Sequence, residues 1–192
     1  MIRVFSFLLF LSVHILQAGP IHWHTGSLVL VDGSVRVGEV SVVGEFDLVL
    51  FHDGDLVTPY PAHKIRSLCF YDQQADINRK YISVIDNGES ISFNWLFEIV
   101  VQGEVSVWRR QKKFSSGADD GLDYNYYVCW NRAIYPLIKF RRVIFPGLIK
   151  NSPPQLQEFM AQYKLNCNRD SDAIRIIDFY NHQTRSEAVA LK

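Results

Sequence analysis

Cysteine is scarce in this chain of 192 residues, which contains only Cys69, Cys129 and Cys167. Disulfide-dense secreted domains use many more, so burial of apolar side chains must stabilise the fold. In an oxidising compartment the three residues allow one disulfide and one free thiol. Three buried free thiols are equally compatible with the sequence, because unpaired cysteine commonly behaves as a small core side chain.

The chain also lacks an excess of charge of either sign, since 20 basic residues balance 20 acidic residues. Proteins that bind the phosphate backbone normally carry a basic surface. We therefore expect no nucleic-acid partner. The balance also excludes attraction of a partner by a strong overall field.

Long hydrophobic runs are absent after the first 16 residues, so we expect no transmembrane segment there. At the beginning, Arg3 precedes an apolar run from Val4 to Leu16, and the small residues Ala18 and Gly19 follow. This pattern predicts a signal peptide over residues 1–18 and a secreted chain over 19–192. The alternative is a retained N-terminal anchor. We expect the protein in the periplasm, at the outer membrane or outside the cell.

Catalytic motifs are missing as well. The sequence has no Gly-x-Ser-x-Gly, no Gly-Lys-Ser/Thr, no His-Glu-x-x-His and no Cys-x-x-Cys. His22 and His24 have the spacing of a shared metal site, but an N-terminus that docks through its aromatic side chains is the simpler interpretation. Cys69 and His63 suggest a thiol nucleophile, but a structural thiol is favoured. We therefore predict no catalytic residue, no metal ligand and no cofactor.

Short runs of β-branched and aromatic residues fill the first half of the chain. Asp32-Gly33, Asp53-Gly54 and Asn87-Gly88 separate some of them, and such dipeptides favour hairpin turns. The predicted strands are 28–31, 35–42, 46–51, 56–60, 65–71 and 81–85. The apolar phase slips across Gly38-Glu39, which predicts a β-bulge or a sharp bend, and a bend of that kind helps the meander curl into a small barrel.

A second β group follows over 93–110 and 124–130, with a tight turn at Gln102-Gly103. The polar stretch 111–123 between these strands is predicted to be an exposed, mobile loop.

The chain then becomes helical. Ser152 and Pro153 carry a helix-start signal, and a second helix is capped by Asp170 or Ser171. The stretch 137–145 also alternates like a strand, but we favour a helix that ends near Pro146. The residues expected on the buried faces of the last two helices are Leu156, Phe159, Met160, Tyr163, Ala173, Ile176, Ile177 and Tyr180.

These elements predict one α+β domain over 19–192, β-rich over 26–130 and helical over 137–182. The central part of this domain is an antiparallel β-meander that can curl into a small SH3-like barrel. A second β group and two to three C-terminal helices complete the expected fold.

Five segments carry a resemblance to a known group of proteins. They are Gly26 to Gly33, Gly38 to Val40, Asp47 to Phe51, Pro61 to Ser67, and the closing Ile174 to Asn181. In these segments the chain resembles uncharacterised exported proteins common in Bacteroidota. The resemblance implies an envelope location in a Gram-negative bacterium and a strands-first, helices-last domain. It implies no activity, cofactor or catalytic residue.

The polar segment 63–80 is the best candidate for a recognition surface. Rigid aromatic contact area lies there beside basic and amide groups, a combination that suits binding. The candidate binding residues are His63, Arg66, Tyr71, Asp72, Asn78 and Arg79. The simpler interpretation is a solvated connection with salt bridges to its own neighbours.

The expected function is a non-enzymatic protein-interaction or structural module with an envelope protein as partner. The alternative is a periplasmic hydrolase or thiol enzyme whose site is assembled from distant residues.

Overall fold

The computed structural model describes residues 21–87, 92–112, 123–151 and 153–190. The predicted signal peptide, Gly88 of the third predicted turn, most of the predicted loop 111–123 and the predicted cap Ser152 lie outside the described residues.

The described residues form ten strands in one open antiparallel sheet, followed by three α-helices. The order across the sheet is β10-β9-β8-β7-β6-β5-β1-β2-β3-β4. The strands are β1 His24–Leu30, β2 Val35–Val43, β3 Leu48–His52, β4 Val57–Pro61, β5 Ile65–Asp72, β6 Ile77–Asn87, β7 Ser92–Val101, β8 Ser106–Gln111, β9 Tyr124–Trp130 and β10 Ala133–Pro136. The α+β class is confirmed, and β10 is a strand that the sequence pattern did not predict.

Two of the predicted hairpin turns are confirmed. Gly33 and Gly54 have φ of 88° and 105°, which only glycine adopts without strain. The Ser34 N–H donates to Asp32 Oδ1 at 2.8 Å and closes the first turn. These turns join β1 to β2 and β3 to β4.

The predicted bulge at Gly38-Glu39 is wrong. The register of β2 with β1 runs through both residues without a shift, and the register of β2 with β3 begins at Glu39 and is regular from there. The apolar phase slips because Val35 and Val37 lie on the solvent side of the sheet, where they are 60% and 74% exposed. The registers shift elsewhere, between Val29 and Leu30 in β1 and between Ile99 and Val101 in β7.

The first hydrophobic core lies on one face of β1–β7, which we call the inner face of the sheet. Side chains directly opposite on paired strands share a face, which places Leu28, Val40 and Leu68 together. The buried members of this first core are Leu28, Leu30, Val40, Val49, Phe51, Ala62, Ile65, Leu68, Phe70 and Leu96. Ser27, Val37 and Cys69 lie on the opposite, outer face.

The helices are α1 Phe145–Asn151, α2 Pro153–Gln162 and α3 Asp170–Ala190. A 3-10 turn, Leu137–Lys139, and a π-helical turn, Phe140–Ile144, precede α1. The predicted helix end near Pro146 is wrong, because the helix continues through this residue. Pro146 has no N–H, but it lies at the junction between the π-helical turn and α1. The helix therefore loses little of its backbone hydrogen bonding there.

The second core packs the helices on the strands β7–β9. Ala173, Ile176, Ile177 and Tyr180 of α3 are buried as their spacing predicted. Tyr163 differs, since it lies beyond the end of α2 and is 50% exposed. The buried members of this second core are Val101, Val105, Val107, Val128, Leu137, Phe140, Ile144, Leu148, Leu156, Ala173, Ile176, Ile177 and Tyr180. Within the described ranges, no helix is long and apolar enough to cross a membrane.

Candidate functional site

A row of side chains crosses the inner face from the first core to the second. Leu68 lies opposite Tyr81, Tyr81 opposite Glu98, Glu98 opposite Arg109, and Arg109 opposite Tyr126. The row begins at Leu68 of the first core and ends at Tyr126, which packs against the second core. The two apolar cores are therefore separated by charged and phenolic groups.

Glu98 is the centre of this polar row and is 5% exposed. Its Oε1 accepts hydrogen bonds from Arg79 Nη1 at 2.6 Å and Arg109 Nη2 at 2.9 Å. Its Oε2 accepts from Arg109 Nε at 2.7 Å and from the Tyr81 hydroxyl at 3.3 Å. Such charge-assisted, two-pronged bonding is the strong form of arginine–carboxylate pairing.

Asp72 extends the row by one more charge. Its Oδ2 accepts from Arg79 Nε at 2.7 Å, and its Oδ1 accepts the N–H groups of Gln74 and Ala75 at 3.0 and 3.2 Å. We call Asp72, Arg79, Tyr81, Glu98 and Arg109 the Glu98 network. It alternates two carboxylates with two guanidinium groups and has no net charge.

The pKa shifts in the network favour the charge states that its hydrogen bonds require. Burial acts to lower the pKa of Arg109, but the hydrogen bond and charge of Glu98 outweigh it and raise the pKa. Burial and the charge of Glu98 raise the pKa of Tyr81, so the phenol stays protonated. The guanidinium of Arg109 also lies 4.3 Å from the centre of the Tyr124 ring. Each charge is compensated, which suits a structural role.

The sequence pattern predicts that Asp72 and Arg79 belong to a recognition surface. The structure brings these two residues together inside the Glu98 network, and Asp72 is 8% exposed. Glu98 and Arg109 were not identified from the sequence. A signal was present, because Glu98 interrupts the apolar run from Trp95 to Val101, and a lone carboxylate in such a run indicates a buried partner.

Tyr71 and Asn78 lie opposite each other near the C-terminal end of β5, the end that carries Asp72. Tyr71 is 44% exposed, and its hydroxyl donates to the Asp76 carboxylate. That bond raises the pKa of the Tyr71 phenol.

His63 and Arg66 lie near the opposite end of β5. Arg66 precedes Asp72 by six positions, so about 20 Å of extended strand separates them. Arg66 is exposed, and its Nη2 donates to the Val31 carbonyl at 3.2 Å. The six candidate residues therefore divide into two groups, one near each end of β5, with Asn78 and Arg79 contributed by the neighbouring strand β6.

An open groove of about 400 Å³ adjoins the His63 and Arg66 end. It lies between the end of β1, the edge strand β4 and the 3-10 turn Ala62–Lys64. We call it the Tyr60 groove, and its lining residues are Leu30, Val31, Asp32, Pro59, Tyr60, Pro61 and Lys64. The groove is not among the features predicted from the sequence, although the Pro59-Tyr60-Pro61 run is a signal for a rigid aromatic surface.

A second ion pair connects distant segments near β7 and β8. The Asp47 carboxylate accepts from Arg110 Nη2 at 2.5 Å and Nε at 3.1 Å, and from the Leu96 N–H at 2.9 Å. The Asp47 carbonyl accepts the Ala62 N–H at 2.8 Å. Asp47 thus joins the β2–β3 connection to β7, β8 and the turn after β4.

The cysteines and histidines are dispersed in the part of the chain that the structure describes. All three cysteines are free there, with Cys69 exposed and Cys129 and Cys167 half-buried. No hydrogen bond joins a cysteine to a histidine among these residues, and no three His, Cys, Asp or Glu side chains are grouped for a metal ion. His24 stacks on Phe70, with ring centres 4.5 Å apart.

Comparison of this chain with protein-family models, with curated proteins and with solved structures finds no match.

Proposed function

We propose that this chain is an exported, non-enzymatic protein-interaction module of the cell envelope, and that it binds its partner through the Tyr60 groove. The proposal rests on the contrast between the Glu98 network and the Tyr60 groove. The ionised groups of the Glu98 network satisfy one another, whereas the groove is open, mainly apolar and lined by a lysine without an ion pair among the described residues. The exported location rests on the signal-peptide pattern over 1–18 and on the resemblance.

The alternative of a periplasmic hydrolase or thiol enzyme has less support. Cys69 is exposed on the outer face, opposite Ser27 and Lys80 rather than a histidine. A thiol nucleophile normally needs a base within hydrogen-bond reach. We therefore base the proposal on the groove and not on thiol chemistry.

We also infer that β1–β6 and the first half of β7 curl into a small barrel of the SH3-like kind around the first core. Asp47 supports this inference. It lies in the β2–β3 connection, which is separated from β7 in the strand order by β6, β5 and β1, yet its side chain accepts a hydrogen bond from the Leu96 N–H of β7. Leu96 itself belongs to the first core together with Val40 and Val49. Barrels of this kind host many functions, so the shape alone names none.

The proposal is tested by affinity capture from envelope extracts. The bait is the protein itself, expressed from its full-length sequence and purified. The variant is Val31→Asp, because Val31 lines the groove and is 49% exposed, so the change leaves both cores intact. The control is Lys139→Glu, which changes an exposed residue far along the chain. We expect one partner, identified by mass spectrometry, to be retained by the wild type and the control but lost with Val31→Asp. Equal capture by all three proteins, or no partner above bare beads, would overturn the proposal.

A further inference from the structure

We infer that the Tyr60 groove recognises an extended, acidic segment of a partner protein that places a proline or aliphatic side chain against Tyr60. This inference rests on the proposed function, and it adds the chemistry of the partner.

The groove offers a rigid apolar surface. Val31, Pro59, Tyr60 and Pro61 line it, and its volume of about 400 Å³ lies within the range of known ligand pockets. The Tyr60 ring packs edge-on against Phe51, with ring centres 6.3 Å apart, so it is held in place by the first core. Rigid aromatic and proline surfaces suit extended, proline-containing segments, which lose little conformational entropy on binding.

The edge strand beside the groove disfavours strand addition. β4 pairs only with β3 among the described strands, so its other edge faces away from the ladder. Pro59 and Pro61 have no N–H, so two of the five β4 residues cannot donate to an added strand. We therefore expect side-chain contacts, rather than a ladder of backbone hydrogen bonds, to hold the occupant.

The charge around the groove is positive. Lys64 lines it without an ion pair among the described residues, and Arg66 is exposed beside it. Asp32 also lines the groove, but its carboxylate already accepts the Ser34 N–H at 2.8 Å. That hydrogen bond, with a smaller contribution from the charge of Arg36, lowers the pKa of Asp32, so the carboxylate stays ionised. Its single negative charge is outnumbered by the positive charges of Lys64, Arg66 and Arg36. A partner with carboxylates next to its apolar side chain complements this arrangement.

The inference is tested with three fluorescein-labelled synthetic peptides in fluorescence anisotropy titrations. The first has a Pro-Leu-Pro centre flanked by glutamates, the second has lysines in place of the glutamates, and the third has serines in place of Pro-Leu-Pro. We expect the first to bind the wild type at least about tenfold more tightly than either of the others. Its affinity should fall between 0.05 and 0.5 M NaCl, because exposed charges are screened by salt.

Two lysine variants test the charge contribution. Lys64→Glu should weaken binding of the acidic peptide by about fivefold, the size expected for reversing an exposed charge pair. Lys139→Glu should leave the affinity unchanged. Thermal unfolding of each variant confirms that it is folded before titration.

The possible failures are distinguishable from failure of the proposed function. Equal or tighter binding of the lysine peptide, equal binding of the serine peptide, or no effect of Lys64→Glu overturns the partner chemistry. Absence of binding by all three peptides, with a captured partner that still depends on Val31, overturns it as well but leaves the proposed function standing. Loss of the Val31 dependence in the capture experiment overturns the proposed function itself.

Discussion

Replacement of Glu98 by glutamine tests whether the Glu98 network stabilises the fold, because this change removes the charge and keeps the side-chain shape. Glu98 accepts three hydrogen bonds from guanidinium groups, at 2.6, 2.7 and 2.9 Å. Removing one partner of a buried ion pair typically costs about 3–5 kcal/mol. The side chains of Arg79 and Arg109 remain 17% and 19% exposed, so water can partly replace the lost partner. We therefore expect the lower end, a loss of about 3 kcal/mol in the free energy of unfolding.

For a chain of this length, that loss corresponds to a decrease in Tm of roughly 6–12 °C. Urea and thermal unfolding, followed by tryptophan fluorescence at pH 7, measure it. The matched control is Glu39→Gln, which makes the same chemical change in an exposed pair with His52 at 2.8 Å. The Glu39 side chain is 51% exposed, so the control should lose less than about 1 kcal/mol.

A double-mutant cycle with Arg109→Met separates the pair interaction from the cost of burial. We expect a coupling free energy above about 1 kcal/mol between Glu98→Gln and Arg109→Met, because the two side chains share two hydrogen bonds. If Glu98→Gln loses no more stability than Glu39→Gln, or if the coupling is zero, the structural interpretation of the network is refuted.

Three further predictions concern other sites. The pKa of Asp72 is lowered, because its hydrogen bonds outweigh the effect of burial. Asp72 therefore stabilises the fold above about pH 4, and this contribution is lost as the pH falls through the folded-state pKa. Asp72→Asn should reduce stability to urea at pH 7, and this loss should become smaller as the pH is lowered below about 4. Exposed Cys69 should react first with a thiol reagent at pH 8, before Cys129, whose pKa is raised by burial, and Cys69→Ser should remove the fast phase. Asn181→Ala should cost about 2 kcal/mol in thermal unfolding, because the buried N–H and C=O of Val105 both lose their partner.

Local patterns predicted most of the elements, because short-range physics decides them. Gly33 and Gly54 take positive φ in turns that their Asp-Gly dipeptides favour. The spacing of Ala173, Ile176 and Ile177 identified the buried face of α3. Exposure of apolar residues is not decided locally, and for this reason Val37 suggested a bulge that the structure does not contain.

The candidate site depended on contacts between residues far apart in sequence, which local patterns do not reveal. Arg79 and Glu98 are 19 positions apart, and Arg109 is a further 11. The register of three strands decides that they meet. The Tyr60 groove likewise joins Val31, which directly follows β1, to Tyr60 of β4, a strand that does not pair with β1. The segment 63–80 is polar, but its candidate residues lie in two separate regions. One is at the Glu98 network, and the other is beside the Tyr60 groove.

The position of the Glu98 network also bears on how the central strands are aligned. A buried ion network is a weak source of net stability compared with apolar packing, since its charges must lose water. It does constrain register, because a slip of one residue would move Arg79 or Arg109 to the outer face and leave Glu98 buried without a partner. Such a constraint matters here, since the β7–β8 register shifts between Ile99 and Val101, directly after Glu98. Asp72 attaches the network to β5, the strand that begins at the turn carrying Lys64, so the alignment that satisfies Glu98 also fixes one wall of the groove.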